Sequence, residues 1–97
     1  MRHEIVLAPE AVQDLKRLKA PVRATVRDAT EAHLRHQPTR TSKSRTKRLR
    51  GLSRPQFRLR AGELRIFYDV SERTVEVLAI ILKSGADAGL KKEGERA

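Results

Sequence analysis

The alternation of apolar and basic residues along 56–70 constrains the fold more than any other feature of the chain. In its first half, Phe57 and Leu59 alternate with Arg58 and Arg60. In its second half, written LRIFYDV, the alternation continues. A period of two residues is typical of a β-strand whose two faces differ. The segment therefore predicts a hairpin with one apolar face and one face rich in arginine.

We place the turn of this hairpin at Ala61-Gly62, because glycine can adopt the positive φ that tight turns require. A two-residue loop there sets Arg58 directly opposite Arg65. Like charges in that position are unfavourable by up to about 1 kcal/mol, so the pair suggests a site that receives an anion. A slip of one residue would bury the arginines, so the choice of face is well determined. Tyr68 falls on the apolar face and is expected in the core.

The flanking segments predict an α+β fold class. We expect a strand over 3–8, a helix over 9–19, a second helix from 21 to about 36, and a last apolar strand over 74–82. Prolines begin both helices, and the second ends before Pro38. The prediction is a small antiparallel sheet, made of the N-terminal strand and a three-stranded meander, packed on an N-terminal α-helical hairpin. Residues 1–97 form a single domain, with 84–97 as a frayed tail.

The net charge of +10 is concentrated in one stretch of the chain. From Arg40 to Arg65 there are ten basic residues and a single acid, Glu63. The loop 38–47 is rich in hydroxyl and basic side chains and is expected to be a mobile basic arm. A concentrated positive field calls for a polyanionic partner, or for an acidic protein that neutralises it.

Several classes of protein are disfavoured by composition. There is no cysteine, which excludes a disulfide framework or a thiolate metal site and fits a cytoplasmic protein. No segment has the length and apolarity of a signal peptide or a membrane span. His33 and His36 have a spacing that could present two imidazoles to a metal, but no third ligand is nearby. We therefore expect no metal, no cofactor and no membrane partner.

The segment LRGLSRPQFRLRAGELRIFYDV, residues 49–70, resembles the core of the RelE/ParE superfamily of bacterial and archaeal toxins. The following VEVLAIILKS is similar to the last apolar strand of that family, and the resemblance covers roughly residues 3–90. It implies a RelE-like fold and the role of toxin in a type II toxin–antitoxin module. It also implies a cognate antitoxin that is small and partly disordered, with an acidic or amphipathic C-terminal segment.

The resemblance implies a ribosome-dependent mRNA endonuclease that inhibits translation. Its partners are then the ribosome and mRNA, with operator DNA reached through the antitoxin complex. By position, the catalytic candidates are Arg58, Arg60, Arg65 and Lys83. The RNA-binding candidates are Lys43, Arg45, Lys47, Arg48, Arg50, Arg54 and Gln56.

The chain departs from the family pattern after its last strand. Relatives with RNase activity often have an arginine just after this strand and a tyrosine or histidine further on, where Ser84 and Leu90 stand here. Lys83 is the nearest candidate, so the expected acid–base set is incomplete. Two other functions stay open: a ParE-like inhibitor of DNA gyrase, and a catalytically silent module that binds its antitoxin and operator DNA.

Overall fold

The computed structural model describes residues 2–51 and 53–83. These residues form two helices and five strands: β1 (Glu4–Leu7), α1 (Pro9–Lys16), α2 (Ala20–His33), β2 (Thr46–Arg48), β3 (Phe57–Ala61), β4 (Leu64–Val70) and β5 (Thr74–Leu82). The strands form one sheet in the order β1-β5-β4-β3-β2. The predicted α+β class is confirmed, whereas the predicted frayed tail lies outside the described residues. Neither described helix is long and apolar enough to cross a membrane.

Both predicted helices are present, and both end earlier than predicted. α1 ends at Lys16 rather than Lys19, and α2 ends at His33 rather than near residue 36. Leu34 is fully buried although it follows the last helical residue. The apolar periodicity therefore outlasts the helix, because the chain still faces the core after its hydrogen bonding has changed.

The sheet is mixed, so the prediction of an antiparallel sheet is wrong for β1. This strand runs parallel to β5, with Ile5 opposite Val75. The other strand pairs are antiparallel. Hairpin turns fix the directions of β3, β4 and β5, but two helices separate β1 from this meander. No turn therefore sets the direction of β1, and a connection through helices allows parallel pairing.

A short edge strand, β2, lies in the segment that we predicted to be a mobile loop. Thr46 is opposite Leu59 and is only 3% exposed. Its N–H donates to Ser42 Oγ over 3.1 Å. The strand is held by backbone pairing and carries no apolar alternation, so its sequence gives no strand signal.

The turn between β3 and β4 is Gly62-Glu63 and not Ala61-Gly62. Gly62 has φ of 60°, and a type II′ hairpin turn places glycine at this first central position. The predicted pairing is therefore wrong: Arg60, and not Arg58, lies opposite Arg65. Each β3 residue lies opposite a β4 residue that is two positions further along than predicted. A difference of two residues changes the partner but not the face, so every side chain keeps its predicted face.

The helices pack against the apolar face of the sheet. The buried cluster consists of Ala11, Val26, Ala29, Leu34, Phe57, Leu59, Leu64, Ile66, Tyr68, Val75, Val77 and Ile80. Within it the rings of Phe57 and Tyr68 stack with their centroids 5.4 Å apart. The Tyr68 hydroxyl donates to the carbonyl oxygen of Pro38 over 2.6 Å. The predicted core position of Tyr68 is confirmed, and its hydrogen bond ties the segment after α2 to the centre of the sheet.

The substitution Tyr68→Phe tests this tie. It removes the hydroxyl and leaves the buried Pro38 carbonyl without that donor. We expect the free energy of unfolding, measured with urea, to fall by about 1–3 kcal/mol. The control Val6→Ala changes a side chain that is 44% exposed and should stay within about 0.5 kcal/mol of the wild type. Equal losses in the two variants would contradict the role of the hydrogen bond.

Alkaline titration gives an independent test, because Tyr68 is the chain's one tyrosine. Burial raises the pKa of the Tyr68 hydroxyl well above its usual range. The folded state therefore favours the neutral phenol, so stability is retained below about pH 10 and lost as the pH rises further. We expect phenolate absorbance to appear together with the loss of far-UV circular dichroism. Ionisation near pH 10 in the folded protein would contradict this burial.

Candidate functional site

The face of the sheet opposite the helices carries the three arginines that the sequence predicted there. We call the surface formed by Arg58, Arg60 and Arg65 the arginine face. Arg60 and Arg65 lie directly opposite each other on β3 and β4, and Arg58 lies opposite Phe67. Lys47 of β2 pairs with Arg58 from the other side. The sheet therefore brings four cations together on adjacent strands.

Arg58 is the most constrained of these cations. Its side chain is half-buried, and its Nη2 lies 3.4 Å from the Ser44 carbonyl oxygen. Its buried Nε has no hydrogen-bond partner in the described structure. Burial lowers the pKa of Arg58, and the charges of Arg65 and Arg60 lower it further. A guanidinium in this state gains from any anion that supplies acceptor oxygens.

Arg65 is held at the β3–β4 turn. Its Nη1 donates to the carbonyl oxygens of Gly62 over 2.9 Å and Leu64 over 3.0 Å. Lys83 comes to the same turn, where its backbone N–H donates to the Glu63 carbonyl oxygen over 2.8 Å. The Lys83 side chain is exposed. The fold thus places the last predicted catalytic candidate at the end of the sheet that carries Arg65.

The other basic candidates are distributed around β2. Arg48 is opposite Phe57 and lies over its ring, 5.3 Å from the centroid, so it belongs to the helix side of the sheet. Arg45 precedes β2, and its carbonyl oxygen accepts the Arg60 N–H. Lys43 and Arg50 are exposed outside the strands. The structure therefore divides the predicted RNA-binding set between the two sides of the sheet edge.

Arg54 and Gln56 are engaged within the fold. Arg54 Nε donates to Asp69 over 2.7 Å, and its Nη2 donates to Glu76 over 3.0 Å. Asp69 also accepts the Gln56 N–H over 2.7 Å. The Gln56 side-chain oxygen accepts the Val70 N–H over 2.9 Å. These bonds fix the segment that leads into β3 and so orient the strand that carries Arg58 and Arg60.

Sequence reasoning missed the roles of three residues. Asp69 and Glu76 neutralise Arg54, but they lie far from it in sequence, and only their cross-strand pairing brings them together. Phe67 is the third, and it shares the face of the arginines because it lies opposite Arg58. It is half-buried beside Arg58 and between Arg65 and Asp69 along β4. The sequence alone could have drawn attention to Phe67, because a large aromatic residue on the charged face of a strand is unusual.

Metal chemistry gains no support from the geometry. Among residues 2–51 and 53–83, no three histidine or carboxylate side chains form a group that could hold a metal ion. The residues that converge on the arginine face are cations, which repel metal ions and attract phosphate.

Comparison with known proteins agrees with the fold and the basic site. Residues 5–85 match the model of the ParE toxin of type II toxin–antitoxin systems, parDE. Since this match spans most of the chain, the chain belongs to that toxin family. It is accordingly a toxin of a type II toxin–antitoxin module, within the RelE/ParE superfamily. A comparison with curated protein sequences finds no match.

Solved structures with the same fold come from toxin–antitoxin complexes. The RelBE2 complex of Mycobacterium tuberculosis matches with 24% identity and a TM-score of 0.71, over 82% of this chain and 96% of that one. The archaeal RelE–RelB complex of Pyrococcus horikoshii matches with 19% identity and a TM-score of 0.68, over 89% of this chain and 100% of that one. The RelB–RelE complex of Methanococcus jannaschii matches with 18% identity and a TM-score of 0.60, over 91% of this chain and 96% of that one. The RelE-like fold is thereby confirmed.

The Asp69 network predicts a graded effect of two acidic-to-alanine changes. The Asp69 side chain is 17% exposed and accepts two hydrogen bonds, whereas that of Glu76 is 43% exposed and, among the described residues, pairs with Arg54. In urea denaturation, Asp69→Ala should cost about 1–3 kcal/mol. Glu76→Ala should cost less than about 1 kcal/mol, as exposed ion pairs do. The reverse ranking would contradict the organising role of Asp69.

Proposed function

We propose that this toxin is a ribosome-dependent endoribonuclease that cuts mRNA and so inhibits translation. The observation that carries the proposal is the convergence of Arg58, Arg60 and Arg65 on one face. Within the described residues, no ion pair neutralises any of them. Three uncompensated guanidiniums on adjacent rigid strands suit a phosphate whose charge increases during reaction.

In the proposed reaction the 2′-oxygen attacks the adjacent phosphorus and the bond from phosphorus to the 5′-oxygen breaks. The products are a 2′,3′-cyclic phosphate and a 5′-hydroxyl. Arg58, Arg60 and Arg65 stabilise the negative charge on the phosphorus oxygens, since guanidinium forks match phosphate geometry. Lys83 is the candidate that gives a proton to the leaving 5′-oxygen, while the 2′-hydroxyl proton passes to solvent or to a ribosomal group.

The ribosome compensates for the small acid–base set. Holding the 2′-oxygen in line with the scissile bond can contribute roughly 7–11 kcal/mol in the most favourable cases. The basic residues Lys43, Arg45, Lys47, Arg48 and Arg50 are proposed to contact RNA phosphates around the site. Arg54 and Gln56 support this surface by fixing the entry to β3. Phe67 offers an aromatic surface on which a base of the mRNA can stack beside the arginines.

The predicted antitoxin has a suitable binding site on the helix side. A groove of about 560 Å³ runs between β1 and the helices, with Ile5, Leu15 and Val26 among its apolar residues. Arg23 and Arg27 also line it. We propose that an amphipathic, acidic segment of the antitoxin occupies this groove, as its apolar side chains meet the floor and its carboxylates meet the arginines. The solved relatives are complexes with RelB antitoxins, which supports a partner of this kind.

Inhibition of DNA gyrase is the second candidate function. It is favoured by one observation: the family model that matches is that of the ParE toxins. A gyrase inhibitor acts by protein contact and needs no proton donor or acceptor. The third candidate, a silent module that binds antitoxin and operator DNA, requires that the free chain be harmless in cells.

Alanine substitutions on the arginine face test the proposed reaction. On translating ribosomes, Arg58→Ala or Arg65→Ala should lower the rate of mRNA cleavage by about 10²–10³-fold, the usual loss when one charge-stabilising donor is removed. Arg73→Ala, a change of equal charge in the exposed β4–β5 turn, should leave the rate unchanged.

Two outcomes separate the candidates. Uncut mRNA together with gyrase-dependent cleavage of supercoiled plasmid would replace the nuclease by the gyrase inhibitor. If mRNA stays uncut, plasmid stays intact and expression without antitoxin is harmless, the results would support the third candidate, the silent module.

Salt dependence tests the basic loop separately. Each phosphate contact to single-stranded RNA contributes about 0.7 to the slope of log K against log salt. Lys47→Ala should therefore weaken RNA binding and reduce the slope by about that amount. Phe67→Leu should weaken binding without changing the slope, because stacking releases no counterions. Equal slopes in the wild type, Lys47→Ala and Phe67→Leu would show that Lys47 does not contact an RNA phosphate.

The groove predicts a variant that separates antitoxin binding from toxicity. Ala24 lines the groove, and Ala24→Glu places a carboxylate against an acidic partner. Antitoxin affinity should fall tenfold or more, equivalent to about 1.4 kcal/mol, with mRNA cleavage unchanged. Thr25→Glu adds the same charge at the next, exposed helix position and should bind normally. Equal affinity for both variants would place the antitoxin elsewhere.

A further inference from the structure

A second basic site lies between the C-terminal end of α2 and the segment that leads into β2. It is a cavity of about 120 Å³. Its polar lining consists of His33, His36, Gln37, Arg40, Arg45 and Thr46. Two histidines and two arginines therefore line it, and among the residues that the structure describes no carboxylate belongs to the lining. None of the reactions considered above uses His33, His36 or Arg40.

The hydrogen bonds around the cavity arrange its donors. Arg40 Nη1 donates to the Gln37 side-chain oxygen over 3.1 Å. This bond uses the acceptor of the Gln37 amide and leaves its NH₂ group as the end that can donate. Thr46 is buried at the sheet edge, with its N–H bonded to Ser42 Oγ. The lining residues thus come from the end of α2, the following loop and the edge strand β2.

The pairing of His33 and His36 at i and i+3 could have indicated a metal site. The structure argues against a cation, because Arg40 and Arg45 line the same cavity. Burial lowers the pKa of His33, and the charge of Arg45 lowers it further. Both effects favour the neutral imidazole while the cavity is empty. A bound anion opposes the effect of Arg45 and favours protonation of His33.

The charged or titratable groups that face His33 come from two elements. His36 lies three residues further along the chain, just beyond the C-terminal end of α2, and Arg40 and Arg45 come from the segment before β2. The strand contributes the neutral Thr46. The groups facing His33 are therefore cationic or neutral, so anion binding has no carboxylate to displace.

We infer that this cavity binds a phosphate group through His33, His36, Arg40 and Arg45. Guanidiniums bind phosphate oxygens in paired hydrogen bonds, and the number of converging donors exceeds what the two oxygens of a carboxylate can accept. The phosphate is that of a nucleic acid, either a terminal monoester or a backbone phosphodiester. The site is joined to the arginine face through the Arg60 N–H and the Arg45 carbonyl oxygen. It does not depend on the proposed cleavage reaction.

The site predicts a pH dependence with a definite sign. Since an imidazole binds anions better when it is protonated, phosphate affinity should rise as the pH falls through the range in which His33 gains a proton. Linkage requires that bound phosphate raise the pKa of His33 in return.

The three histidines of the chain provide an internal control for an NMR experiment. His3 lies outside the cavity, in a separate groove that Arg2, Glu4, Arg35 and Arg73 also line. Inorganic phosphate is added to full-length protein at about pH 6 and about pH 7.5, at constant ionic strength. The imidazole signals of His33 and His36 should shift saturably with phosphate and further than those of His3, and phosphate should raise the pKa of His33. Equal shifts of all three signals, or equal effects of sodium chloride, would overturn the inference.

Two variants make the test specific to the cavity. Arg45→Gln should weaken phosphate binding about tenfold or more, because it removes a charge and its charge-assisted hydrogen bonds from the cavity. Arg73→Gln removes the same charge from the groove beside His3, outside the cavity lining, and should leave phosphate binding at His33 and His36 unchanged. Equal binding by both variants would overturn the site. So would a tighter complex with zinc than with phosphate at His33 and His36.

A pair of short RNA oligomers distinguishes the two sources of phosphate. One carries a 5′-phosphate and its match carries a 5′-hydroxyl. A tenfold preference for the 5′-phosphate, lost in Arg45→Gln, identifies a terminal monoester. Equal binding that is weakened in Arg45→Gln identifies the backbone phosphodiester. Binding of both oligomers that is insensitive to Arg45→Gln would contradict the inference.

Discussion

The antiparallel pairing of β3 with β4 is the interaction on which the rest of the structure depends. On one side it buries Leu59 against Ile66, and on the other it sets Arg60 opposite Arg65. Burial of the apolar face against the helices stabilises the fold, whereas the pairing of like charges on the other face destabilises it. Because side chains alternate strictly, one set of backbone hydrogen bonds positions both the core and the arginine face.

The distribution of acids explains why some arginines serve the fold and others remain uncompensated. Asp69 and Glu76 lie toward one end of the outer face and neutralise Arg54. Toward the other end, Arg58 keeps a buried Nε without a hydrogen-bond partner in the described structure. The same face thus has one end stabilised internally and one end that needs an external anion. This division follows from which cross-strand neighbours are carboxylates.

Much of this could be predicted from the sequence, and the exceptions have physical causes. The alternation in β3 and β4 predicted the faces correctly, because a two-residue period survives an error of two residues in pairing. The turn itself was misplaced, since glycine fits either central position of a tight turn and only the backbone decides between them. β2 and the direction of β1 rest on backbone hydrogen bonds without a side-chain pattern. The Arg54–Asp69 pair and the histidine cavity require tertiary contacts that no local sequence pattern reports.

The central claim is that the arginine face holds the mRNA phosphate at which the chain is cut. The most direct test is a cryo-EM structure of the toxin on a ribosome that carries mRNA with 2′-O-methyl groups, which block the attacking oxygen. We expect that structure to show an mRNA phosphodiester within hydrogen-bond distance of Arg58, Arg60 and Arg65. A toxin bound with this face turned away from the mRNA, or one that binds gyrase and not the ribosome, would contradict it.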